Sequence, residues 1–183
     1  MTEVKDGFLP NEIFQELQDY CNKEQFQIVQ AGDKAFSVLE VPENVKPFLE
    51  IEGHEMILAF IRSAWNEFDT TWRRHADNII MGKRVDLASV LYINNIDDCE
   101  EHGTAFYTHI KYGKSLPKNI SSKEYDRMIL EEAEDDSKWK ISTIVQGKPN
   151  RLLVYNAQNF HGKFPNKIEK GIRKVCVVFY VKK

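Results

Sequence analysis

The sequence is poor in cysteine, with only Cys21, Cys99 and Cys176. Three thiols, far apart and odd in number, argue against a disulfide framework and for a reducing compartment. A basic excess is also missing: 25 Lys and Arg stand against 28 Asp and Glu, a net charge of -3. The electrostatic footprint of a nucleic-acid-binding module is therefore absent. No apolar run approaches the roughly 18 residues that a membrane span requires. Residues 1–7 are polar and carry no apolar signal-peptide core. No internal repeat or low-complexity tract is visible. These absences lead us to expect one cytoplasmic domain over 1–183.

What is present is an ordinary globular mixture, 42% hydrophobic and 29% charged over 183 residues. That is too apolar for a disordered chain. A domain of this length buries about 70% of its unfolded surface and needs no disulfide or structural metal to be stable.

Periodicity predicts a helix over 11–22, from Ile13, Phe14, Leu17 and Tyr20. Strands are expected over 26–29 and 35–41, joined by the turn signal Ala31-Gly32-Asp33. A second helix is expected over 55–68, with Met56, Ile57, Phe60, Ile61, Ala64 and Trp65 at a 3.6-residue period. Residues 85–93 are apolar at almost every position and read as a strand buried on both faces. Further strands are expected over 103–110, 151–156 and 174–181. Between them, 111–150 is a long polar insert with an acidic helix over 122–134, opened by Ser121-Ser122-Lys123-Glu124. Inserts of this length often serve as lids. The run Glu131-Glu132-Ala133-Glu134-Asp135-Asp136 is a solvated face or a site for a cationic partner. Helices followed by short strands with long returns imply an α+β, mainly β protein on an antiparallel sandwich or barrel.

Three residues carry candidate chemistry. If 71–78 is extended, His75 and Asp77 point to one side, because residues two apart on a strand share a face. His161 would join them from a distant segment. Two imidazoles and a carboxylate on one side of an ion leave its opposite positions open, as in non-haem Fe(II) oxygenases. His102 and His109 are alternative ligands, but seven residues apart on a strand they face opposite ways. Arg173 begins the run Val175, Val177 and Phe179, and a charge at the mouth of an apolar face needs a partner. A guanidinium grips a carboxylate through two parallel hydrogen bonds. Lys174 is its competitor and faces the other way. Asn78 orients the carboxylate, faces substrate, or forms a turn.

The order of these pieces resembles a known family. It runs His75-x-Asp77, Val90-Leu91-Tyr92-Ile93-Asn94, Gly103-Thr104-Ala105-Phe106-Tyr107, then Arg151 to Asn156, Phe160-His161 and Gly171-Ile172-Arg173. Over nearly the whole chain it resembles the Fe(II)- and 2-oxoglutarate-dependent oxygenases, in their prolyl-4-hydroxylase-like branch of small phage and bacterial proteins. The resemblance implies a double-stranded β-helix, a jelly-roll or cupin-like core, with N-terminal helices packed on one sheet. It implies Fe(II) on His75, Asp77 and His161, and 2-oxoglutarate on Arg173, helped by Tyr92. Tyr92 is equally a core aromatic whose hydroxyl is satisfied locally. Tyr107 and Tyr155 are candidate contacts to substrate or to the ligands. The implied activity is hydroxylation of a protein, peptide or small molecule, consuming dioxygen and 2-oxoglutarate, yielding succinate, with ascorbate in support. Two features depart from the family: a single glycine in His102-Gly103-Thr104, and twelve positions between His161 and Arg173. The same three ligands would also serve a zinc hydrolase, which leaves Arg173 and Tyr92 unexplained, or a non-catalytic binding protein on the same fold.

Overall fold

A computed structural model describes residues 2–32, 34–68 and 73–183. In chain order its elements are β1 (Thr2–Lys5), α1 (Asn11–Lys23), β2 (Gln27–Ala31), β3 (Lys34–Leu39), β4 (His54–Ala64), β5 (Ile79–Ile80), β6 (Lys83–Arg84), β7 (Leu87–Tyr92), β8 (Gly103–His109), α2 (Ser122–Arg127), β9 (Trp139–Gln146), β10 (Arg151–Asn156), β11 (His161–Phe164) and β12 (Arg173–Lys182). A 3-10 turn at Lys46–Leu49 precedes β4, and a π-helical turn at Met128–Glu132 continues α2.

The strands form a large sheet in the order β1-β10-β7-β12-β4-β3-β2 and a small one in the order β11-β8-β9. The hairpin β5–β6 stands apart. Every named pairing is antiparallel. Two layers follow from the patterning. The outer face of the large sheet sends Leu91, Cys176 and Val178 against Phe14, Leu17 and Cys21 of α1. The inner face sends Val90, Tyr155 and Val175 toward Phe106 of the small sheet. A third cluster, with Ala105, Met128, Trp139 and Phe160, holds α2 and its π-helical extension against the back of the small sheet. All three cysteines are buried free thiols.

The helix expected over 11–22 is α1. Gln18 anchors it by donating from Nε2 to the Ile93 carbonyl at 2.8 Å. Among the described residues it is the one α-helix of the N-terminal half, where more than one was expected. The helix expected over 55–68 is instead β4. Its residues 56–61 are apolar without a break, which suits a strand with both faces covered as well as a helix. Ile61 enters the outer core, Leu58 and Phe60 the inner one, and β12 and β3 bond its two edges. The acidic helix over 122–134 is shorter: Ser121 Oγ accepts from the Glu124 amide at 3.2 Å, and α-helical geometry ends at Arg127. The insert 111–150 is not wholly an excursion, since β9 within it completes the small sheet. Asp33 and residues 71 and 72 lie outside the described residues, so the turn and the start of the extended 71–78 run are not placed.

Candidate metal centre

The segment after residue 72 lies along β11. The His75 amide donates to the His161 carbonyl at 3.0 Å, and the His161 amide returns the bond to His75 at 2.9 Å. The Asp77 amide donates to Ala157 at 2.9 Å. Gly162 makes the approach possible, because a Cβ there would sit 1.9 Å from the Arg73 carbonyl oxygen. Two distant parts of the chain are thus registered by backbone bonds, and their side chains follow.

His75, Asp77 and His161 converge, with one ligand atom from each within 4.8 Å of the others. His75 Nε2 lies 3.6 Å from Asp77 Oδ1, and His161 Nε2 lies 3.4 Å from Asp77 Oδ2. His161 Nδ1 is 2.9 Å from the Asn159 carbonyl, which makes Nδ1 the protonated nitrogen and leaves the Nε2 lone pair facing the centre. Tyr155 donates its hydroxyl to that lone pair at 3.0 Å and has Asp77 Oδ2 at 3.5 Å. Burial holds the His75 imidazole well below its ordinary proton affinity, aided by the nearby His161 and Arg62. Burial also pushes the Asp77 carboxyl up, against the pull of His161 and Tyr155. Two imidazoles and a desolvated carboxylate make a donor set that a divalent cation would stabilise, so the residues fit a metal of the borderline class.

Arg173 opens β12 and is buried in the cavity wall. Its Nη2 donates to the Gly103 carbonyl at 3.3 Å, and its guanidinium lies 5.9 Å from the Tyr92 ring centroid. Lys174 takes the other face, where its Nζ donates to Asn22 Oδ1 at 2.6 Å. Tyr92 is fully buried and spends its hydroxyl on Thr104 Oγ1 at 2.8 Å. Thr104, absent from the sequence-based candidates, is itself in the cavity wall. The available signal was alternation along β8, which puts Thr104 and Phe106 on one face. His102 packs at a tilt against Tyr92, with centroids 5.7 Å apart. Burial, reinforced by Arg173, pulls its proton affinity down to about 3.

One cavity of about 750 Å³ joins these parts, lined by the triad, Asn78, Thr104, Tyr155 and Arg173 among others. Tyr107 is not among its walls; it packs with Trp139 beneath the Arg74 guanidinium. His102 and His109 do not join the metal cluster. His109 bonds Glu132 Oε2 through Nε2 at 2.9 Å, and its Nδ1 accepts from the Lys111 amide at 3.1 Å. The acidic run is occupied in part within the molecule: Glu132 faces His109 and Arg127, and Asp136 pairs with Arg73 and Arg74.

No family model and no curated protein matches the chain. Solved structures do. The non-heme alpha ketoglutarate dependent carbocyclase SnoK from nogalamycin biosynthesis superposes with a TM-score of 0.63 at 10% identity, over 99% of this chain and 79% of that one. HygX from Streptomyces hygroscopicus, with iron bound, gives 0.62 at 12% identity over 100% and 82%. A Pseudomonas putida prolyl-4-hydroxylase gives 0.51 at 12% identity over 100% and 92%. HygX has also been crystallised with nickel, 2-oxoglutarate and hygromycin B. At these identities the likeness establishes the fold: a mostly β jelly-roll core, as the resemblance implied.

Proposed function

We propose that the protein is a non-haem Fe(II)- and 2-oxoglutarate-dependent oxygenase that hydroxylates an organic substrate. The observation that carries this reading is one cavity with a buried His-Asp-His cluster and a buried arginine on its walls. The structural neighbours, several of them crystallised with iron, nickel or 2-oxoglutarate, support it. His75, Asp77 and His161 would hold the iron. Arg173 would pair with the distal carboxylate of 2-oxoglutarate, with the Thr104 hydroxyl beside it and Tyr92 holding Thr104 in place. When bound, iron and cosubstrate supply the oxidising power: dioxygen is consumed, 2-oxoglutarate becomes succinate and carbon dioxide, and a substrate C–H bond is oxidised.

The chain's own part is to bind, orient and exclude water. Asn159 fixes the His161 tautomer, and the backbone bridge fixes the spacing of the two imidazoles. α2 and the π-helical turn would act as the lid, since Tyr125, Asp126, Ile129 and Leu130 form part of the cavity wall. A single domain in a reducing, cytoplasmic setting suits the three buried thiols. A zinc hydrolase accounts less well for the site, because it assigns no role to a guanidinium in the cavity wall.

The test is succinate formation from 2-oxoglutarate with Fe(II), ascorbate and dioxygen. Asp77→Ala and His161→Ala should each abolish it with little change in melting temperature, and Arg173→Gln should raise the KM for 2-oxoglutarate at least tenfold. Undiminished succinate in both triad variants would overturn the proposal.

A further inference from the structure

The two sheets are unequal, and the inequality shapes the cavity. The large sheet extends past the small one through β4, β3 and β2. Its inner face carries Leu58 and Phe60 on β4, Phe36 and Val38 on β3, and Val29 and Ala31 on β2, all lining the cavity that holds the triad. From β12, where Arg173 sits, to β2 is three interstrand steps of about 4.8 Å, an apolar floor of about 14 Å. Ile129 and Leu130 stand in the wall of the same cavity. Among the described residues, the charged groups in its wall outside the metal cluster are Arg62, Asp126, Lys163 and Arg173. Arg62 lies over the Phe36 ring, 4.8 Å from its centroid, and Lys163 donates to the carbonyls of Pro165 and Asn166.

Resting on the oxygenase reading above, we infer that the substrate is a non-peptidic small molecule with an extended apolar, ring-bearing body laid along β4, β3 and β2. A peptide laid on that floor would bring most of its amide and carbonyl groups against hydrocarbon side chains, with the Arg62 guanidinium the donor among them, and lose its water there. A fused-ring or alkyl body loses nothing of the kind and removes the floor from water. The cavity volume of about 750 Å³ leaves space for such a body beside a small dicarboxylate, and falls within the range of pockets that enclose whole small molecules.

The test uses the full chain loaded with Mn(II) and 2-oxoglutarate without oxygen, and N-phenyl-1-naphthylamine as a neutral fluorescent probe. The probe should bind with enhanced fluorescence, and Val38→Glu and Val29→Glu should each weaken it at least tenfold. Val29 is solvent-exposed, so its variant keeps the fold even if the other does not. A proline-rich peptide should not displace the probe. No enhancement, unchanged affinity in both variants, or displacement by the peptide would overturn the inference. Mn(II)-dependent 2-oxoglutarate binding is measured on the same samples: its absence from the wild type would overturn the oxygenase reading, whereas its presence without probe binding overturns the substrate assignment alone.

Discussion

Tyr155 shows how much a single hydroxyl decides at this site. Its ring is wedged edge-on against Phe106, with centroids 5.3 Å apart, and its hydroxyl uses the lone pair of His161 that a metal needs. Metal binding must break that bond and turn the hydroxyl to another acceptor, of which Asp77 Oδ2 is in reach. A buried hydrogen bond is worth about 1 kcal/mol net, so Tyr155→Phe should tighten Mn(II) binding to the cosubstrate-free protein about fivefold. Calorimetric titration reads this directly, and weaker binding in the variant would show that the phenol supports the ion instead of competing with it. That His75, Asp77, His161 and Arg173 share one cavity was legible in the sequence because few side chains are suited to ligate a borderline metal or grip a carboxylate, and their order narrows the choice. Thr104 and the orientation of Tyr155 were not. Threonine and tyrosine occur everywhere, and their place here comes from strand register, Tyr155 opposite Ala88 and Phe106 opposite His161.

The segment of α2 and its π-helical turn hangs on a small polar device. His109 is 1% exposed, accepts at Nδ1 from its own turn and donates from Nε2 to Glu132, at the end of the π-helical turn. The Trp139 indole donates to the backbone carbonyl of the same glutamate at 2.7 Å. Glu132→Ala would leave a buried donor unsatisfied, at about 1–3 kcal/mol. Hydrogen exchange should quicken across Ser122–Arg127 and Met128–Glu132 while the amides of β7 stay protected; uniform quickening would mean the device serves the whole fold. Element types were legible where one face differs from the other, as in α1. They failed at β4, where apolar side chains point both to the outer core and to the cavity, so alternation disappears. β9 was missed for the opposite reason: it is an edge strand, mostly exposed, bonded to β8 alone.

The whole molecule carries its buried imidazoles into its response to acid. His102 has its proton affinity lowered from the ordinary 6.5 to about 3 by burial. Below 6.5 the unfolded chain takes up a proton that the native protein refuses, so this contribution to stability is complete above 6.5 and is lost as pH falls toward 3. The slope is about 1.4 kcal/mol per pH unit for one proton. His75 acts in the same direction, while Asp77, with its carboxyl pushed up, opposes them above its ordinary 3.8. Metal-free protein should therefore lose stability between pH 6.5 and 4.5, and His102→Gln should lose measurably less in denaturant titrations; equal losses would exclude His102 as a source. The overall topology was legible only as a class, because strand order is a matter of long-range pairing that no local pattern encodes. The same long-range pairing governs when the site exists. A chain growing from its N-terminus shows His75 and Asp77 to the cell well before His161 has been made, and two donors without their backbone partner hold a divalent ion weakly. Loading would therefore wait for a finished polypeptide, and the ion would be chosen by completed geometry from whatever the surrounding metal pool then offers.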